Sequence, residues 1–415
     1  MEINITKHKY SFAFTTNLLL KILPLIGKVL LSFIFLPLLI LIRILRPIIL
    51  IRFGYFHIQR IGHFAFDLEF YLAEKELNNH KNSYDIFFLS GKPCNDFLYK
   101  ICRRQIICIN RFSFILYLNK LLPFSKAHEY IPAIERSSSR DVEGVFKKTS
   151  NKLIFLKEEQ NAGNNFLKSI GLNKKTKFVC LAVRDSAYLK EEFPGKDFSD
   201  HNYRDSKIEN YIDSIKYLND RGYFVFRMGK KVSEKLELNS DLFLDYANSS
   251  VKSDFLDIWL MANCHFAIST GTGIDEVSNI FRKPICYLNF SPITIFNSYN
   301  PKAITTPKKI HDGVSKYISL RQQIKDELTD IDSFQTIKYL LEENSKDEIL
   351  DSIKEIEQKI KNGWIRSDEE IKLQENFWKI IYSWKMFKKY HHEDSHINSG
   401  TISDAYLKKN KEWLF

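Results

Sequence analysis

Apolar and polar positions divide the chain into three textures. The first is an uncharged run, Val29 to Ile42, flanked by Lys21 and Lys28 on one side and by Arg43, Arg46 and Arg52 on the other. It is shorter than the roughly 18 apolar residues that a membrane-spanning helix needs, and Pro24, Pro37 and Pro47 would bend a helix there. The run starts late and no small-residue cleavage site follows it, which argues against a signal peptide. The pattern predicts a hydrophobic membrane-associated segment over residues 1–53, lying in the interface with both basic flanks on lipid headgroups.

The second texture alternates short apolar runs with stretches of helical spacing. It predicts strands at 55–60, 85–89, 106–109, 177–183, 223–228, 242–246, 265–269 and 285–290. Helices are predicted at 64–77, 95–103, 113–122, 206–220, 254–263 and 274–281. Strands alternating with helices imply parallel sheets with right-handed crossovers. The polar stretch 125–176, with Ser137 to Asp141 in its middle, reads as the connection between an N-terminal lobe at 54–165 and a C-terminal lobe at 166–310. The third texture, 311–415, is a helical extension. Ser345 with Glu348 and Ser367 with Glu370 have the capping-box spacing that opens a helix. His391, His392 and His396 read as a solvated tail rather than a metal site.

Composition narrows the partners. A net charge of +11 suits an anionic partner: a phosphorylated small molecule, an acidic membrane surface or nucleic acid. The basic residues are dispersed, with no long basic block interleaved with aromatics, so nucleic acid is set aside. Six cysteines lie singly, without zinc spacing, as reduced buried thiols would.

Candidate chemistry gathers where predicted strands end. Ser269-Thr270-Gly271-Thr272-Gly273 links a strand to a helix, an arrangement in which helix amides, glycine backbone and hydroxyls can hold a phosphate. A capped βα turn would have the same sequence. Arg184 and Asp185 close one strand, Arg227 and Gly229 another, and Arg60 to His63 a third; His201 and Arg204 lie in a loop on the same rim. In doubly wound sheets such ends converge on one crevice. Arginines pair phosphate oxygens bidentately, so the arrangement needs no metal and no cofactor.

Several segments also carry a resemblance. RIGHFAFDLEFYL (60–72), VRDSAYL (183–189), HNYRDSKIENY (201–211), FRMG (226–229) and STGTGIDE (269–276) resemble motifs of a bacterial family assigned to surface-polysaccharide glycosyltransferases. The run 260–288 resembles the donor-site motif of GT-B enzymes. The resemblance covers about residues 55–300 and implies two Rossmann-like lobes facing a cleft. It implies a nucleotide-sugar donor and a glycan or lipid-linked acceptor, at the cytoplasmic face of the bacterial inner membrane. Gly271 to Gly273 would take the diphosphate, Asp275 or Glu276 the ribose, and Arg184, Arg204 and Arg227 the leaving charge. His63, Asp67 and His201 are, in that order, the candidates for a base. Two other readings fit the residues: a nucleotide-sugar epimerase on the same fold, and a non-catalytic membrane-tethered interaction protein.

Overall fold

The computed structural model describes residues 27, 29–78, 83–173, 175–185, 187, 203–314, 317–328, 339–396 and 399–415. The chain divides into two compact units. One comprises residues 1–56, 79–91 and 105–132, the other residues 57–78, 92–104 and 133–415.

The first unit holds three parallel strands in the order β1 (Leu50–Gly54), β2 (Ser83–Phe88), β3 (Ile107–Ile109). The first strand therefore lies upstream of its predicted place at 55–60. Its residues continue the apolar run that reads as membrane anchor, and only the pairing with β2 separates the two. Arg52, read as a basic flank, forms a bidentate pair with buried Asp85 at 2.6 and 2.9 Å. Residues 29–44 are helical. Leu39 and Ile42 pack with Phe53, Phe88 and Ile115, the last on the helix Ile115–Leu121. Among the described residues no helix is long and apolar enough to cross a membrane.

The second unit is built on a seven-stranded parallel sheet. Its strands are β4 (Phe178–Ala182), β5 (Phe224–Arg227), β6 (Phe243–Leu244), β7 (Phe266–Ser269), β8 (Ile285–Phe290), β9 (Ala303–Pro307) and β12 (Thr401–Ile402), in the order β12-β9-β8-β7-β4-β5-β6. A separate antiparallel pair joins β10 (Lys309–His311) to β11 (Leu340–Glu342). Every residue of β4, β5, β7, β8 and β9 is buried, as continuous apolar runs in a sheet covered on both faces should be. The helix Lys346–Asn362 places Ile349, Ile353 and Ile356 in that core, and Ser345 and Ser367 cap their helices as the sequence predicts.

Three local readings change. The helix Ile61–Asn78 is not amphipathic: Phe64 to Tyr71 are all buried, Asp67 and Glu69 included. The helix predicted from 206 starts at Ile212, after a 3-10 turn at Ile208–Tyr211. Ser206 does not open it: its hydroxyl donates to Glu343 at 2.9 Å. His391 is not solvated. It is buried, with Nδ1 2.8 Å from Ser298 Oγ and Nε2 2.7 Å from the Thr294 carbonyl. Burial lowers its pKa to about 4.

One packing detail gives a stability prediction. On the helix Lys157–Ser169, a Cβ added at Gly163 would overlap the Trp259 indole. Trp259 is buried and its Nε1 donates to Gln160 Oε1 at 2.9 Å, so the indole has no room to retreat. Alanine normally gains up to about 1 kcal/mol over glycine inside a helix. Here overpacking outweighs that gain, and Gly163→Ala is expected to lose about 1–3 kcal/mol in chemical denaturation. A stabilised variant would refute the contact.

Candidate functional site

The strand order of the larger sheet reverses between β4 and β7. From β4 the chain adds β5 and β6 on one side; from β7 it adds β8, β9 and β12 on the other. Ala182 and Ser269, the last residues of β4 and β7, pair directly. Open α/β sheets bind ligands outside the carboxyl ends of the strands at such a switch point. A small, half-open pocket of about 90 Å³ lies there. Ala182, Val183, Met228, Val232 and Ile274 give it an apolar lining, and Arg184, Asp185, Lys231 and Thr272 a polar one.

The loop after β7 is held by its own side chains. Ser269 Oγ donates to Asp275 Oδ2 at 2.5 Å and accepts from the Gly271 amide at 3.0 Å. The Thr272 amide donates to the same Asp275 oxygen at 2.9 Å, and Thr270 Oγ1 accepts from the Arg184 amide at 2.9 Å. Gly271 and Gly273 have φ of 79° and 58°, the left-handed region where glycine is unstrained. The helix that follows, Asp275–Ile280, is only six residues long. Asp275 is thus a brace and not a free ribose acceptor. Glu276 is engaged as well: Tyr299 OH donates to its two oxygens at 2.8 and 2.6 Å, and Asn279 Nδ2 donates at 3.3 Å. Burial, then the neighbouring Asp275, raises the Glu276 pKa to about 8.

The arginines separate into two roles. Arg184 lines the pocket, and its Nε donates to Asp205 Oδ1 at 3.2 Å. Lys308 Nζ holds the Asp205 carbonyl at 2.8 Å. Burial and the nearby charge of Arg204 lower the Arg184 pKa, so the two cations share one region. Arg227 is different. It is buried, donating from Nη1 to the Glu234 carbonyl at 2.6 Å and to Asp245 Oδ2 at 3.2 Å. Its guanidinium is spent inside the fold and does not line the pocket, although Gly229 two residues later does. Asp185 also lines the pocket while bracing it: Oδ1 accepts from the Ala187 amide and Oδ2 from the amide and hydroxyl of Ser233.

His63 reaches this loop through a glycine contact. A Cβ on Gly62 would sit 3.0 Å from Gly273 Cα, so only glycine lets the first turn of the 61–78 helix rest on the loop. His63 Nδ1 lies 2.8 Å from Ser139 Oγ, and Ser139 Oγ donates to Asp67 Oδ1 at 3.0 Å. With Asp67 ionised, the serine proton goes to it and the serine oxygen accepts from His63 Nδ1–H, which leaves Nε2 as the basic atom. Burial, then Arg60, His57, Arg140 and Arg204, lowers the His63 pKa to about 4. Burial raises that of Asp67 to about 7, and Asp67 Oδ2 has no partner among the described residues.

The structure therefore brings His63, Asp67 and Arg60 into one unit with Arg184, Arg204 and the 269–276 loop. His201 lies outside the described residues. Among the described residues no three His, Cys, Asp or Glu side chains gather as a metal site would require. The sequence reading missed Ser139, Arg140 and Lys231. Ser138 and Ser139 have φ of 54° and 55°, a strained pair inside a stretch read as a connector. No periodicity signals such a turn.

No family model matches the sequence. No curated protein matches it either. Solved structures do. A glycosyl transferase family 9 protein from Veillonella parvula is similar at 12% identity and TM-score 0.42, over 74% of this chain and 96% of that one. The ADP-heptose LPS heptosyltransferase II of E. coli is similar at 12% identity and TM-score 0.37, over 69% and 98%. The heptosyltransferase TibC, solved with ADP-D-beta-D-heptose, is similar at 11% identity and TM-score 0.38, over 75% and 78%.

Proposed function

We propose that this chain is a glycosyltransferase of GT-B type that moves a sugar from a nucleotide-sugar donor to a glycan or lipid-linked acceptor without a metal, at the cytoplasmic face of the bacterial inner membrane. The switch-point pocket carries this reading. Ligand sites commonly combine a mostly apolar lining with a few converging polar groups. Here apolar side chains from three strand ends can cover a nucleobase and ribose, while Arg184, Lys231 and Thr272 line the place a diphosphate would take.

The chemistry follows from those positions. The acceptor hydroxyl gives its proton to His63 Nε2 as its oxygen attacks the anomeric carbon. The bond from that carbon to the diphosphate oxygen breaks, and the nucleoside diphosphate leaves with the added charge. Cations fixed in the pocket stabilise that charge as it develops, which is commonly the largest single contribution to such catalysis. A direct attack of this kind inverts the anomeric configuration.

Titration calorimetry with a panel of nucleoside diphosphates tests the pocket. One of them is expected to bind, and Arg184→Ala to weaken it by about tenfold or more, as losing a charge-assisted pair should. Unchanged affinity in that variant, or no binding by any nucleoside diphosphate, would overturn the assignment.

A further inference from the structure

We infer that the first unit docks on an anionic lipid surface through two elements, the helical residues 29–44 with the turn after them and the segment 112–126. The two elements are packed together. Phe35 meets the rings of Phe112 and Phe114 with centroids 5.2 and 5.6 Å apart. Arg43 donates to the Asn119 and Pro123 carbonyls, and the Arg46 guanidinium lies 5.4 Å above the Phe124 ring.

The opposite faces are apolar and exposed. Leu30, Phe33, Ile34, Leu41, Ile44 and Ile48 recur at helical spacing along one side, while Leu39 and Ile42 on the other are buried. Tyr117, Leu121 and Phe124 extend the exposed stripe from the second element, at 76%, 77% and 67% exposure. A monomer in water rarely keeps so continuous an apolar face uncovered.

Charge decides what covers it. Residues 29–56 and 105–132 carry Arg43, Arg46, Arg52, Arg111, Lys120 and Lys126, with Glu129 as the sole acid. Arg52 is paired internally, and Glu129 is held 3.5 Å from Lys120. A second copy would set this excess of positive charge against itself. An apolar face ringed by cations matches the boundary between acyl chains and anionic headgroups. The surface is argued from the first unit's own residues and does not depend on the glycosyltransferase reading.

The test is flotation of full-length protein with phosphatidylcholine vesicles, with and without phosphatidylglycerol. Leu121→Glu combined with Phe124→Glu changes two exposed side chains, so the melting temperature should stay unchanged. The native chain is expected to float with the anionic vesicles, and the double variant to bind about tenfold less. Equal binding to neutral vesicles, or undiminished binding by the variant, would overturn the proposal. So would a native dimer that the variant abolishes, since a second copy would then cover the face. A lower melting temperature with binding intact would assign the face to the chain's own residues 1–26, and likewise overturn it. Vesicle binding is read without nucleotide, so its failure leaves the donor-site reading standing.

Discussion

Replacing His63 by alanine is expected to lower kcat for glycosyl transfer by about 10²–10⁴-fold, the range spanned by a positioned general base. Nucleoside diphosphate affinity should stay within about twofold, because the imidazole is assigned to the acceptor proton and not to the donor. The hydrogen-bond chain sharpens the expectation. With Asp67 ionised, the proton order Asp67–Ser139–His63 fixes the Nδ1–H tautomer and keeps Nε2 free. Below about pH 7 Asp67 carries a proton and can donate toward Ser139, so the tautomer is no longer fixed. Below about pH 4 the imidazole itself is protonated. The rate should therefore rise with pH through about 7, and Ser139→Ala should remove that limb while retaining part of the activity. Turnover in His63→Ala above a tenth of native, measured with the donor identified by calorimetry, would remove the histidine from the mechanism.

The contrast between what the sequence shows and what it hides runs through these residues. Strands β4, β5, β7 and β8 are legible because a strand buried on both faces is largely apolar, and short runs such as FVCLA and ICYL show it. The turn at Ser269 to Gly273 is legible because two glycines between an apolar run and a stretch of helical spacing mark a break, and a plain capped βα turn has the same sequence. Direction is not legible. Arg227 and Arg184 both close a strand, yet Arg227 reaches Asp245 beneath the pocket while Arg184 lines it. Which outcome holds depends on a carboxylate 18 residues away. The same applies to Asp67, a base candidate only through the resemblance: its place in a helix reads as an ordinary polar position until residues 64–71 prove buried all round. The N-terminal boundary fails for the opposite reason. Arg43, Arg46 and Pro47 do stand between helix and strand, but they read as the basic flank of an interfacial segment, so Leu50–Gly54 is counted with the run before it.

Removing the Asp275 carboxylate should do more damage than its distance from the chemistry suggests. Asp275 Oδ2 receives the Ser269 hydroxyl and the Thr272 amide, and Ser269 in turn receives the Gly271 amide. Three of the groups that shape the loop thus depend on one oxygen. Asp275→Ala leaves buried donors unpaired, at about 1–3 kcal/mol each. Relief of a buried carboxylate, whose pKa is already raised by burial, offsets part of this. A net loss of about 2–4 kcal/mol is expected in chemical denaturation. The amide of Asp275→Asn keeps one acceptor oxygen in the same shape, so that variant should lose only about 1 kcal/mol. Donor affinity should follow the loop: about tenfold weaker for Asp275→Ala, and close to native for Asp275→Asn. If the carboxylate instead held the ribose directly, both variants would lose affinity alike with stability intact. Calorimetry and denaturation of the same two variants therefore separate a brace from a ligand.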